Sequence, residues 1–229
     1  MSFPFARGLV EAVRVRWQLR HAAAVHDPFD ETYGVRTRVV STLAELWRTT
    51  WRGGFEHEPS PALRTREILD ALDVDFKATV FVDYGSGAGR AVMLAAEYPF
   101  KEVIGIELAP SLHAQATANL LALPRDARRA GAVRLVCGDA TTQELPPEPL
   151  VLYFYNPFGV AAMRRLLERL EGSLTERPRR VTMVLAHCFK KPREVLEESP
   201  FFEVSLRDRG ITLLRSVIPW EGSDRRRIA

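Results

Sequence analysis

The stretch TVFVDYGSGAG, residues 79–89, decides how this chain is read. A short β-branched and aromatic run ends in Asp83, and glycines then recur at alternate positions, Gly85, Gly87 and Gly89. Such a run has the make-up of a buried strand. Glycines at that spacing allow a tight turn, let a ligand lie directly over the backbone, and leave room against the helix that follows. Arg90 opens the next stretch, RAVMLAAEY, which reads as a helix over 90–98. Strand, glycine turn and helix together predict a ligand site at the carboxyl end of the strand.

Downstream the same alternation continues, with strands near 79–83, 102–107, 132–137, 149–155 and 181–186 and helices over 111–121 and 161–174. This is the pattern of an α/β fold around a mostly parallel sheet. The last two strand-like runs, FFEVSLRD and ITLLRSVI, are joined only through Arg209 and Gly210. That link is too short for a helical crossover, so an antiparallel hairpin at the sheet edge is expected.

Upstream of the glycine turn the reading is helical. Over 4–25 the apolar residues Phe5, Leu9, Val10, Val13, Trp17 and Leu19 recur at helical spacing with Arg7, Arg14, Arg16 and Arg20 among them, as in a docked helix with arginines at its rim. A turn-rich segment, DPFDETYGV, leads to a second helical candidate over 39–47. After EPSP, the stretch ALRTREILDAL places Leu63, Ile68 and Leu72 toward a common surface. The expected organisation is a helical cap over 1–75, a ligand-binding domain over 76–221 and a frayed tail over 222–229.

Composition sets the outer bounds. A chain of 229 residues that is 46% hydrophobic suits one well-buried core. Its 32 basic and 29 acidic residues leave an excess too slight to imply a nucleic-acid partner. Cys137 and Cys188 lack metal-ligand spacing and form no disulfide framework, which points to a reducing compartment. With no secretory apolar region and no run of membrane-spanning length, a cytoplasmic protein with no integral membrane segment is expected. The acids and histidines at His26, Asp27, Asp30, Glu56, His57 and Glu58 match no metal site, and none is expected. His187 and Cys188 follow a strand without an identifiable orienting partner and read as packing residues.

Three acids close three successive strands: Asp83, Glu107 and Asp139. One of them alone would read as a helix cap or turn acid, but their joint placement lies where open α/β sheets bind ligands. The segments DYGSGAG, GIEL, CGDAT and YNPF, in this order over 79–158, resemble class I S-adenosylmethionine-dependent methyltransferases. The resemblance implies a Rossmann-like seven-stranded sheet with its last strand antiparallel, and methyl transfer from S-adenosylmethionine.

Carried onto this sequence, the resemblance gives Asp83 and the Gly85, Gly87 and Gly89 turn the amino-acid moiety of the cofactor. Glu107 would accept from both ribose hydroxyls, Leu108 would pack on the adenine face, and Asp139 with the Ala140 backbone would read its polar edge. Asn156, Pro157 and Phe158 would position the acceptor, through the amide, a restricted backbone and an apolar wall respectively. Tyr33 and Glu58, in the YGV and EPSP segments, are expected to border the cofactor or acceptor.

An NAD-binding oxidoreductase is one alternative, because Glu107 also lies at the distance of a ribose-binding acid. Against it, Asp83 would lie close to a pyrophosphate, Arg90 replaces the small last residue of the dinucleotide fingerprint, and Asp139 would be left without a task. A catalytically silent cofactor-binding module is the other. The acceptor is left as an unidentified protein amine or small molecule ahead of nucleic acid, since no RNA- or DNA-binding signature is present.

Overall fold

The central strands of this chain, VFVDY, LVLYFY and VTMVLA, are almost wholly apolar, so both of their faces need cover. In the computed structural model, which describes residues 28–39, 59–156 and 158–219, they belong to one seven-stranded sheet. Its strands are β1 (Val80–Tyr84), β2 (Glu102–Glu107), β3 (Val133–Cys137), β4 (Leu150–Tyr155), β5 (Val181–Ala186), β6 (Phe202–Asp208) and β7 (Ile211–Ser216). They lie in the order β3-β2-β1-β4-β5-β7-β6. The first five run parallel to their neighbours, whereas β7 pairs antiparallel with both β5 and β6. The Rossmann-like mostly parallel sheet with its terminal hairpin is therefore present. Because β1 has β2 on one side and β4 on the other, the strand order reverses there, and a crevice opens beyond its carboxyl end.

Six helices are described: α1 (Phe29–Tyr33), α2 (Ala62–Asp70), α3 (Arg90–Ala96), α4 (Pro110–Ala122), α5 (Val160–Glu176) and α6 (Lys190–Glu197). One core cluster joins Phe81, Val103, Tyr153 and Val184 of the sheet to Phe29 of α1, Ile68 and Leu69 of α2, and Met93 and Leu94 of α3. The other joins Val82, Tyr84, Leu152 and Met183 to Met163, Leu166 and Leu170 of α5 and to Val195 and Leu196 of α6. Asp83 falls on the α1–α3 face because successive strand residues alternate.

Two readings of the upstream and downstream segments are corrected. Leu63 is 74% exposed rather than facing the core with Ile68 and Leu72. The helix starts at Ala62, so its buried stripe runs through Ala62, Thr65, Ile68 and Leu69, one position out of step with Leu63. Helix α6 was not expected, since KKPREVLE carries a thin apolar stripe of Pro192, Val195 and Leu196 among charges. Its proline stands in the first turn, where a missing N–H does no harm. The turn-rich DPFDETYGV contains the single helical turn α1, ended by Gly34 at φ 65°. The helix read at 4–25, all of the one read at 39–47 beyond Val39, and the tail at 222–229 lie outside the described residues. No described helix is long and apolar enough to cross a membrane.

Candidate active site

Gly85, Gly87 and Gly89 all adopt positive φ, at 81°, 53° and 87°. That region disfavours residues with a Cβ, so the sequence could fold this way only with glycine or at a strain cost. The backbone N–H groups of Gly85 and Ser86 both donate to the Ile106 carbonyl, at 2.9 and 3.0 Å, which folds the turn over the end of β2. Gly89 also packs: an added Cβ would lie 3.1 Å from the Ala116 Cβ, so this glycine lets α3 start tight against α4.

Glu107 ties the strand ends together. Its Oε2 accepts from the Gly87 N–H at 2.8 Å and its Oε1 from the Ala109 N–H at 2.7 Å. Its carbonyl accepts from the Gly138 N–H at 2.8 Å. The residue is buried, and these bonds fix where its carboxylate points. A carboxylate has about four acceptor positions, so two backbone bonds are compatible with further acceptance from a diol.

Asp83 stands beside it in the opposite situation. It is 3% exposed, and burial together with the Glu107 charge pushes its carboxyl up to about 8. Among the described residues no hydrogen bond or cation lowers it. It lines a small cleft with Pro59, Ser60, Gly85, Ser86, Arg90, Ala91 and Tyr155.

At the end of β3, Asp139 does part of what a turn acid does: its Oδ1 accepts from the Thr141 N–H at 2.9 Å and hydroxyl at 2.8 Å. Ala140 is buried and belongs to the core on the α5 side, while Leu108 is half-buried.

The cleft has an upper border that the sequence did not reveal. Arg90, 3% exposed, reaches back to the segment before α2: its Nε donates to the Thr37 hydroxyl at 2.6 Å and its guanidinium meets Asp30 at 3.0 Å. A longer contact of 3.4 Å runs to the Ser60 carbonyl, and the guanidinium lies 5.3 Å from the Phe29 ring centroid. Burial opposes ionisation of Asp30, but the Thr37 and Arg38 hydrogen bonds and the Arg90 charge outweigh it and hold the carboxyl below its usual range. Asn119 of α4 clamps the same segment, accepting from the Arg36 N–H and donating to the Arg36 and Ala88 carbonyls, each at 2.9 Å. Tyr33 is placed away from the cleft. Its hydroxyl donates to Glu97 at 2.9 Å and accepts from Arg66 at 3.2 Å. Glu58 lies outside the described residues, although Pro59 and Ser60 of the same motif do line the cleft.

Beyond β4, Asn156 holds φ 49° and its Oδ1 accepts from the Phe189 N–H at 3.2 Å, which links the ends of β4 and β5. Pro157 is not among the described residues. Phe158 turns its ring toward Tyr84, 6.5 Å away, on the side of the sheet opposite Asp83. Tyr155 remains on the Asp83 side and lines the cleft. Asn119 carried no signal of its own in the sequence, and neither Tyr155, within YNPF, nor Arg90, at the head of its helix, was assigned there to the site.

No protein-family model matches the chain, and no curated protein sequence matches it significantly. Among solved structures it is similar to an RNA methyltransferase from Salinibacter ruber in complex with S-adenosyl-L-homocysteine, at 25% identity and a TM-score of 0.47, over 72% of this chain and 95% of the other. It is also similar to the glycopeptide N-methyltransferase MtfA, at 17% identity and a TM-score of 0.49, over 70% and 91% of the two chains. A SAM-dependent O-methyltransferase from Thermotoga maritima superposes with a TM-score of 0.49 at 14% identity, over 72% of this chain and 68% of the other.

Proposed function

We propose that the protein is an S-adenosylmethionine-dependent methyltransferase. The carrying observation is the buried Asp83 carboxyl, held up to about 8 beside a glycine turn and a backbone-fixed Glu107. A buried acid without a cationic partner among the described residues is complementary to an ammonium, and a fixed carboxylate one strand away is complementary to a ribose diol. The residues present therefore fit the methyl donor: Asp83 and the turn backbone at its amino-acid end, Glu107 at its ribose, and Leu108, Asp139 and Ala140 at its adenine. Bound there, the donor supplies a sulfonium methyl group, and the chain's task is to hold an acceptor lone pair in line with it. The acceptor, a protein amine or small molecule, approaches over the ends of β4 and β5, where Asn156 stands. NAD fits less well, because Asp83 would face its pyrophosphate.

Titration calorimetry of the purified chain with S-adenosylmethionine, S-adenosylhomocysteine and NAD tests this. Saturable binding of the two adenosyl sulfur compounds is expected. Binding of NAD with neither of them would overturn it.

A further inference from the structure

We propose that His187 is a catalytic residue whose imidazole takes the proton of the acceptor's nucleophile, an N–H or O–H group, as the methyl group is transferred. This rests on the methyl-transfer reading.

The placement comes first. The groups assigned to the donor close β1, β2 and β3, which leaves the ends of β4 and β5 to the acceptor. His187 is the residue directly after β5, and its side chain is exposed. Its ring centroid lies 5.5 Å from that of Tyr155, which lines the same cleft as Asp83. On another side is Gly210, where an added Cβ would come within 3.5 Å of Cε1 and 3.6 Å of Nδ1. The imidazole thus lies between Tyr155 and Gly210 with its outer side open to solvent.

The backbone carries an independent sign. His187 has φ 50°, Asn156 at the adjacent strand end has φ 49°, and Arg209 in the β6–β7 turn has φ 40°. These three are the positive-φ residues other than glycine among the described residues. Such strain persists only where the surroundings over-determine it, and it gathers at functional sites. Here the His187 N–H is held by the Gly210 carbonyl at 2.9 Å. The neighbouring thiol offers no rival base, since burial pushes Cys188 up to about 11.

In the step itself, the acceptor lone pair bonds to the methyl carbon and the carbon–sulfur bond breaks, its electron pair staying on sulfur. The acceptor proton passes to the imidazole and then to solvent. Imidazole suits this because one ring nitrogen of its neutral form carries a lone pair that accepts a proton while the other remains a donor. The ionisable groups carried by the elements around it are Tyr155 on β4, Asp208 and Arg209 beside Gly210, and Lys190 and Lys191 at the start of α6.

His187→Gly in the full chain is the test, since glycine relaxes the left-handed backbone and opens a solvent-facing gap beside Tyr155 that free imidazole can enter. S-adenosylhomocysteine affinity by calorimetry should stay within about twofold of wild type, with no fall in the unfolding midpoint. Transfer of labelled methyl from S-adenosylmethionine into the protein, nucleic-acid and small-molecule fractions of a cell extract should fall about tenfold or more. Added imidazoles should restore it in order of their basicity. Wild-type transfer by the folded variant, or a loss that no imidazole restores, overturns the proposal alone. If both proteins bind S-adenosylhomocysteine but neither labels anything, or if neither binds it, the methyl-transfer reading falls and this proposal with it.

Discussion

Asp83 and Glu107 are acids at neighbouring strand ends, yet their surroundings set them different tasks. Glu107 receives two backbone N–H groups, whereas Asp83 receives none among the described residues and is pushed up to about 8. Below that pH the free protein keeps a proton on Asp83, and a bound ammonium would expel it. Donor binding should therefore release a proton at pH 7, and affinity should climb from pH 6 toward 8 and then stop climbing. Calorimetry at pH 7 in buffers of different ionisation enthalpy reads the proton directly, and uptake instead of release would count against the assignment. Folding has the opposite preference. The unfolded carboxyl keeps its ordinary value of 3.8, so between that and about 8 the folded state holds a proton that the unfolded state lacks. Stability from this group is present at low pH and is lost as pH rises through about 8. Between pH 6 and 8.5 the wild type should lose about 2–3 kcal/mol on this account, and Asp83→Asn should not, while binding the donor at least about tenfold more weakly. Urea unfolding at the two pH values checks the first part. Both acids were legible in the sequence because each ends an apolar run. Arg90 and Asn119 were not, because their partners Thr37 and Arg36 lie 53 and 83 residues away, and no periodicity records contacts at such separations.

At the scale of elements, the glycine turn divides its labour. Gly87 places its N–H on Glu107, whereas Gly89 brings α3 within contact of Ala116 in α4. Gly89→Val should therefore destabilise the fold by about 1–3 kcal/mol, through overpacking and a disfavoured φ, whatever ligand is added. Gly87→Val should instead weaken donor binding by more than any loss of stability accounts for. Melting curves with and without S-adenosylhomocysteine separate the two, and equal behaviour of both variants would show that the turn is a single packing unit. The central strands β1, β4 and β5 were legible almost to the residue, since runs buried on both faces stand out from their polar flanks. The buried stripe of α2 was misread at one position because Leu63 competes with Ala62 and Thr65 for it, and size suggested the wrong member. What the sequence could not convey about the β4 end was rotation: Phe158 faces Tyr84 while Tyr155 faces the cleft. A turn of left-handed Asn156 lies between them.

For the molecule as a whole, the Arg90 network decides whether the segment around α1 stays on the sheet. A nearly buried guanidinium with Asp30, Thr37 and Phe29 around it is costly to disrupt from one side, because the carboxylate is left behind. Arg90→Met should lower the unfolding free energy by about 3 kcal/mol and speed amide exchange over 28–39 more than in the strands. Hydrogen exchange with mass spectrometry distinguishes this from a uniform loss, which would mean that the network is not a local anchor.

At the far rim of the sheet, β6 is interrupted where its register shifts between Val204 and Leu206, and all of it beyond Phe202 is exposed. Glu203, Arg207 and Asp208 stud the same strand. A row of unpaired N–H and C=O groups is a template on which a second chain can crystallise its own strand, and a kinked, charged row is a poor one. Among the described residues that rim therefore offers a second molecule no flat, uninterrupted ladder to extend.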